Sequence, residues 1–167
     1  MRLYITGCVG SGKSTLAREL SRVTGVECFH LDEVMYEPAP DEPSGNRKRD
    51  PAERDRIFED IIARDNWIIE DAGRACFSHG IEAADALVVL RLPRLTTYRR
   101  VIRRWLRQRL GREKAIYRPT LHMLKSMLQW VREYDPAQFG SYADKSVYLT
   151  TPREISAYIN SAGSRNF

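Results

Sequence analysis

Gly7-Cys8-Val9-Gly10-Ser11-Gly12-Lys13-Ser14 decides the reading of this chain, because it matches the pattern GxxxxGK[ST] in full. Glycines at these places let the backbone curl until successive N–H groups point into one concavity, and a helix starting at its far end adds partial positive charge. Such a concavity fits a polyphosphate. Lys13 is placed to reach the outer phosphates and the Ser14 hydroxyl to coordinate Mg²⁺. Gly7, Gly10, Ser11, Gly12, Lys13, Ser14 and Thr15 are therefore the expected phosphate-binding residues. The flanks agree: Leu3 to Thr6 is a short apolar run, and Ser14 to Thr24 carries Leu16, Leu20 and Val23 at helical spacing before Gly25 stops it.

Outward from this loop, apolar runs alternate with helical patterns. Val26 to Leu31 reads as a strand ending at Asp32, Trp67 to Ile69 as a buried strand, Ala86 to Leu92 as a strand closed by Pro93, and Ser146 to Leu149 as the last. Ala52 to Asp65 places Ile57, Phe58, Ile61 and Ile62 on one helical face, opened by Pro51. From Leu95, the residues Tyr98, Ile102, Trp105 or Leu106, and Leu110 form one apolar stripe. Thr120 to Tyr134 predicts a helix with Leu121, Leu124, Leu128 and Val131 inward, and Pro152 opens a final helix to about Asn160. Tyr36 to Pro51, with four prolines and Gly45, is long and irregular, and reads as a mobile flap. Strands that are apolar throughout argue for a parallel sheet covered on both faces. The expectation is an α/β doubly wound fold of five parallel strands, one domain over residues 1–167.

Composition sets further bounds. The longest aliphatic run, Ala86 to Leu90, is far short of the ~20 residues that span a bilayer, and the first residues lack a signal pattern, so a cytoplasmic protein without a membrane partner is expected. Cys8, Cys28 and Cys76 form no CxxC pair and read as thiols, while His30, His79 and His122 have no metal-ligand spacing and read as structural. Net charge is +5, yet Arg91 to Arg118 alone carries eleven Lys or Arg against the single acid Glu113. That stretch is +10 and the rest of the chain −5. A field concentrated this way suits a polyanion, either nucleotide phosphates or a nucleic acid, against the alternative of a solvated arginine-rich face.

The loop does not choose among its classes, but absences do. There is no NKxD motif for reading guanine and no LSGGQ-like signature, and 167 residues leave no room for the extra helical domain of the larger ring ATPases. Small kinases remain. The order of motifs then becomes specific: the phosphate loop is followed by His30-Leu31-Asp32, Trp67-Ile68-Ile69-Glu70, Leu92-Pro93-Arg94 and the arginine-rich Arg99 to Arg109 segment. In this order the chain resembles the adenylate-kinase-like P-loop kinases, most closely the members labelled DNA topology modulation proteins. It departs from them after Glu70, where Asp71-Ala72-Gly73-Arg74 replaces Gly-Asn-Tyr and is similar to the acidic-Gly-Phe-Pro-Arg segment of nucleoside monophosphate kinases.

The resemblance implies an ATP- and Mg²⁺-dependent phosphotransferase acting on a small acceptor, with an arginine lid over about 95–120. It implies that Asp32 orients or deprotonates an acceptor hydroxyl or holds the metal shell, where the residue alone would also serve as a helix cap. Glu70 or Asp71 would hold Mg²⁺ through water, Glu70 by alignment. Arg74 would clamp an anionic group of the acceptor, or stand as a surface arginine. Arg103, Arg104 and Arg107 would supply lid charge to the transferring phosphoryl group, and Thr151 and Pro152 lie where such kinases hold adenine. The rival reading is a nucleic-acid-binding ATPase whose basic helix tracks a phosphate backbone.

Overall fold

Residues Tyr4, Ile5, Ile68, Ile69, Leu87 and Val88 are fully buried, yet adjacent ones in each pair belong to different apolar clusters. That is the signature of a strand buried on both faces, since successive side chains of an extended chain point to opposite sides. In the computed structural model, which describes residues 1–115 and 117–164, the strands build one parallel sheet. Ile116, inside the expected lid span, and residues 165–167, at the end of the expected domain, lie outside the described residues.

The elements are β1 (Arg2–Gly7), α1 (Lys13–Thr24), β2 (Cys28–His30), α2 (Leu31–Met35), β3 (Tyr36–Pro38), β4 (Asn46–Lys48), α3 (Pro51–Ile62), β5 (Trp67–Glu70), α4 (Ser78–Ala83), β6 (Ala86–Leu90), α5 (Arg94–Arg109), α6 (Leu121–Glu133), β7 (Ser146–Leu149) and α7 (Pro152–Gly163). A 3₁₀ segment, Pro136–Lys145, joins α6 to β7. The five-stranded sheet runs β2-β5-β1-β6-β7, every pair parallel, as the α/β doubly wound reading expects. On one face α1 and α7 cover Leu3, Ile5, Ile68, Val88 and Leu149; on the other α3, α4 and the 3₁₀ segment bury Tyr4, Trp67, Ile69, Leu87 and Val89. Strand order reverses beside β1, and the crevice beyond the carboxyl ends of such strands is where ligands bind in this architecture. Among the described residues, no helix is long and apolar enough to cross a membrane.

Four expectations need correction. The second strand stops at His30, and Leu31–Met35 turns helical, so Asp32 lies in the first turn of α2 instead of ending a strand. The segment taken as irregular contains the antiparallel hairpin β3–β4, tied down by Arg49, which donates to the carbonyls of Val34 (3.1 Å) and Glu33 (3.4 Å) and pairs with Glu37 and Glu53. The apolar stripe of α5 is the larger miss. Thr97, Val101 and Trp105 are the buried residues, while Leu95, Ile102, Leu106 and Leu110 are 41–65% exposed. Likewise α6 buries Met127 and Val131 and packs Leu124 and Leu128 partly inward, but leaves Leu121 exposed.

Gly80 shows how tightly the second face is packed. A Cβ there would meet Phe58 Cζ at 2.6 Å and Tyr4 Cε2 at 3.2 Å, and Phe58 is fully buried against Phe77 at a centroid distance of 4.7 Å. Glycine inside a helix ordinarily costs about 0.5–1 kcal/mol relative to alanine. Overpacking costs about 1–3 kcal/mol and wins here, because the phenyl ring has nowhere to retreat. Gly80→Ala is expected to lower the unfolding free energy by about 1–2 kcal/mol net, read as a reduced denaturant midpoint; an unchanged or higher midpoint would refute the packing argument.

Candidate active site

The phosphate loop connects β1 to α1 and adopts a conformation that only glycine takes easily. Gly10 and Gly12 have φ of 77° and 102°, and a Cβ on Gly10 would approach Val101 Cγ2 to 2.8 Å. The missing side chain thus lets α5 lie directly on the loop. Ser11 N donates to the Cys8 carbonyl at 3.1 Å, and Thr15 and Leu16 donate to Gly12 as α1 begins. The Lys13 ammonium curls back to donate to the Cys8 carbonyl at 3.2 Å, so its charge sits over the concavity. Ser11 lines the cleft, and its Oγ is buried against the Gly7 backbone with no hydrogen-bond partner among the described residues.

Glu70, the last residue of β5, lies next to this loop because β5 pairs with β1 in the register that sets Glu70 opposite Ile5. Its Oε1 is 3.7 Å from Lys13 Nζ, and its Oε2 accepts from Ser14 Oγ at 3.1 Å and from His30 Nδ1 at 2.9 Å. Burial alone would raise the Glu70 pKa, but the His30 hydrogen bond, the Lys13 charge and the Ser14 hydroxyl together bring it below the ordinary range. It is therefore a carboxylate at neutral pH. His30 is raised in turn to about 10 by the Cys28 sulfur beside Nε2 and by Glu70 at Nδ1. Asp71 plays a different part. Its carboxylate accepts from Tyr4 OH (3.3 Å) and from the backbone N–H groups of Gly73 and Arg74 (2.6 Å each), and it pairs with the Arg74 guanidinium. Of the two acids left open by the sequence, only Glu70 faces the cleft.

Arg74 is held at both ends. One terminal nitrogen contacts Asp71 and the other Asp32, and burial is outweighed by these carboxylates, so its pKa is raised. Asp32 is half exposed and caps no helix: α2 begins at Leu31, with His30 before it and no side-chain cap bond. Both Asp32 and Arg74 line the same cleft as the phosphate loop, a cavity of about 1310 Å³. That exceeds the ~300–1,000 Å³ usual for one small ligand and leaves room for two.

Helix α5 supplies the basic wall. Arg103, Arg104 and Arg107 all line the cavity, together with Arg100, which the sequence reading did not single out and which donates to the Ser11 carbonyl at 3.0 Å. Arg107 pairs with Glu113 at 3.5 Å, whereas Arg104 packs on Met127 Sδ and its Nε is buried without a partner among the described residues. Pro152 lines the far end beside Ile155 and Ile159, but Thr151 is absent from the wall. Its hydroxyl accepts from Glu154 N at 3.2 Å in a capping box, so the side chain serves the start of α7. His30 was set aside for want of metal-ligand spacing; its position two residues before Asp32 was the available signal.

Among the described residues no group of three or more His, Cys, Asp or Glu side chains could cage a metal ion. Ser14 Oγ and the Glu70 carboxylate are nevertheless hard oxygen donors meeting at the loop, the chemistry that suits an Mg²⁺ ion sharing its shell with substrate phosphates.

Comparison with known proteins places this geometry. Residues 3–116 match the family model described as AAA domain, over more than half of the chain. No curated protein matches. Similar solved structures include a shikimate kinase from Acinetobacter baumannii in complex with shikimate, at 16% identity and TM-score 0.59, covering 93% of this chain and 87% of that one. A sugar kinase from Janibacter sp. matches at 17% identity and TM-score 0.57 over 95% and 91% of the two chains. A shikimate kinase from Bacteroides thetaiotaomicron matches at 14% identity and TM-score 0.56 over 96% and 95%. At these identities the likeness is one of fold: a P-loop kinase architecture spanning nearly the whole chain.

Proposed function

The chain belongs to the AAA domain family, and from that premise we propose that it is an ATP- and Mg²⁺-dependent phosphotransferase moving the γ-phosphoryl group to a small acceptor, a nucleoside monophosphate or another hydroxyl compound. Family membership carries nucleotide binding and leaves the reaction open. The observation that carries the kinase reading is the cavity itself: Lys13, Ser14 and Glu70 stand at the phosphate loop, and Asp32 with Arg74 stands in the same cleft, with volume for a second ligand. The kinase fold of the solved neighbours, named for sugar and shikimate, supports it. By its motif order we read the chain as nearest the members labelled DNA topology modulation proteins, and as one domain with a flap over about 36–51 and a lid over about 95–120.

Each residue then has a task. Lys13 and the loop N–H groups hold the β- and γ-phosphates, and Ser14 and Glu70 hold the metal shell. Those two side chains would hold Mg²⁺, which when bound would supply positive charge against the charge developing on the phosphoryl group. Arg74 fixes Asp32 through its ion pair, so that Asp32 takes the proton of the acceptor hydroxyl as its oxygen attacks. Arg103, Arg104 and Arg107 add positive charge around the phosphoryl oxygens, and Pro152 packs toward the base.

The test is ADP release from ATP over a screen of small acceptors, with EDTA as control. Acceptor-dependent release that EDTA abolishes is expected, with Ser14→Ala raising the Mg²⁺ needed for half-maximal rate by ~10-fold. Release that ignores every acceptor, or that rises only with polynucleotide, would overturn the kinase reading.

A further inference from the structure

The chain's three tryptophans differ in burial. Trp67 is fully buried and Trp105 nearly so, its indole donating to the Thr120 carbonyl at 3.0 Å, whereas Trp130 is 51% exposed and its indole makes no hydrogen bond or ring contact among the described residues. That large flat surface lines the cavity of the phosphate loop, in company with Asp32, Tyr36 and Arg74. An apolar ring left open to water inside a ligand cavity gains free energy when another flat face covers it.

Two walls of the cavity could receive a ring, and the sheet separates them. Helix α7, which Pro152 opens, packs Ile155 and Ile159 against the cluster of Leu3, Ile5 and Val88 on one face. The end of α6 that carries Trp130 runs to the other face. Tyr134, one turn beyond Trp130 and so on the same side of the helix, packs against the cluster of Tyr4, Ile69 and Leu87, as does Tyr36. Leu31 and Val34, on either side of Asp32 in α2, belong to that cluster too. So does Phe139, whose Cζ stands 2.6 Å from the position of a Cβ on Gly73, the neighbour of Arg74. Trp130 therefore belongs with Asp32 and Arg74, the pair given to the acceptor, and the wall given to the base of ATP lies across the sheet.

Resting on the kinase reading above, we propose that the acceptor carries a ring with a flat face, a nucleobase or the C–H face of a cyclic sugar, and that this face stacks on the Trp130 indole. Stacking on an aromatic side chain changes affinity by ~10-fold or more for each ring. Trp130 thereby selects ring compounds over open-chain compounds with the same hydroxyls. The phosphate loop and Asp32 cannot make that distinction, because they meet only phosphates and one hydroxyl.

Two pairs of compounds isolate the ring: glucose against sorbitol, and cytidine monophosphate against ribitol 5-phosphate. Each is offered to the full chain with ATP and Mg²⁺, reading ADP release and the phosphorylated product by ³¹P NMR. In at least one pair the ring-bearing member is expected to lead in kcat/KM by ~10-fold or more, and the pair that responds tells a sugar face from a base. Trp130→Ala should raise the KM for that compound by ~10-fold, with kcat and the KM for ATP changing less, and Trp130→Phe should keep most of the affinity. Acrylamide quenching reads the contact itself, since Trp130 is the tryptophan open to solvent: the preferred compound should shield it and ATP alone should not. Turnover with no preference for the ring, a loss in Trp130→Ala that falls on ATP, or quenching indifferent to the acceptor would each overturn the stacking role while leaving the kinase reading intact. ADP release that ignores every acceptor would overturn both.

Discussion

Lys13→Ala is expected to lose at least ~1,000-fold in turnover, with ATP affinity falling far more than adenosine affinity, because the only group removed is the one aimed at the phosphates. The geometry makes this loss hard to compensate. Lys13 is 8% exposed, its ammonium lies 3.2 Å from the Cys8 carbonyl, and Glu70 stands 3.7 Å away. Without the lysine, the Glu70 carboxylate keeps Ser14 and the His30 imidazolium at 2.9 Å but loses one of its two counter-charges, so the cleft turns less hospitable to an anion as well as losing a contact. Calorimetry with ATP, ADP and adenosine separates the two ligand parts. Equal losses for ATP and adenosine would mean that the residue supports the fold of the loop and not the phosphates.

The phosphate site was legible because its chemistry is local. Eight successive residues fix backbone shape, charge and hydroxyl together, and both flanking elements follow from simple apolar patterns. The central strands β5, β1 and β6 were legible for a related reason, since a segment buried on both faces has no polar alternation to confuse it, whereas the edge strands β2 and β7 are only partly buried and rested on short apolar runs. Helix α5 was not, and its sequence explains why. Leu95, Ile102, Leu106 and Leu110 share one helical face, while Thr97, Val101 and Trp105 share another turned about a third of the circumference away. Periodicity finds both and favours the more leucine-rich one. What decides burial is the loop beneath: Gly10 lacks a side chain, Val101 fits against it, and no pattern within α5 records that.

Side-chain partnerships were the other blind spot. Only the family resemblance favoured Glu70 over Asp71, and nothing in the residues themselves separated the two acids; in the structure Asp71 is consumed by Tyr4, two backbone N–H groups and Arg74. Arg74 looked like a clamp for an anion, and its partners are carboxylates of the chain itself. Thr151 looked like a base contact, and its hydroxyl caps a helix. Asp71 and Arg74 satisfied neighbours first because a buried polar group left unpaired is costly, while the exposed Thr151 caps a helix whose first N–H groups need an acceptor.

Arg104→Ala is expected to lower kcat by ~100-fold or more, the scale for losing one charge contact to a transition state, with Arg103→Ala and Arg107→Ala smaller. Arg104 is singled out by its surroundings: it lines the cavity, rests on Met127 and buries Nε without a partner among the described residues, whereas Arg107 already has Glu113. A guanidinium held by packing and short of acceptors is ready for phosphoryl oxygens. The rival use of α5, tracking a polynucleotide, predicts a different pattern from the same variants. Each neutralisation would then cost a similar small factor in DNA or RNA affinity and flatten the log K against log salt slope by about one, with ATP turnover nearly intact. The exposed Leu95, Ile102, Leu106 and Leu110 argue against that use, since a backbone-tracking face keeps its outer surface charged, and here the outward stripe is apolar while Arg100, Arg103, Arg104 and Arg107 turn to the cleft. Turnover and salt-dependent binding measured on the three variants decide between them, and uniform slope changes without a catalytic defect would move the arginines from the lid to a nucleic-acid surface.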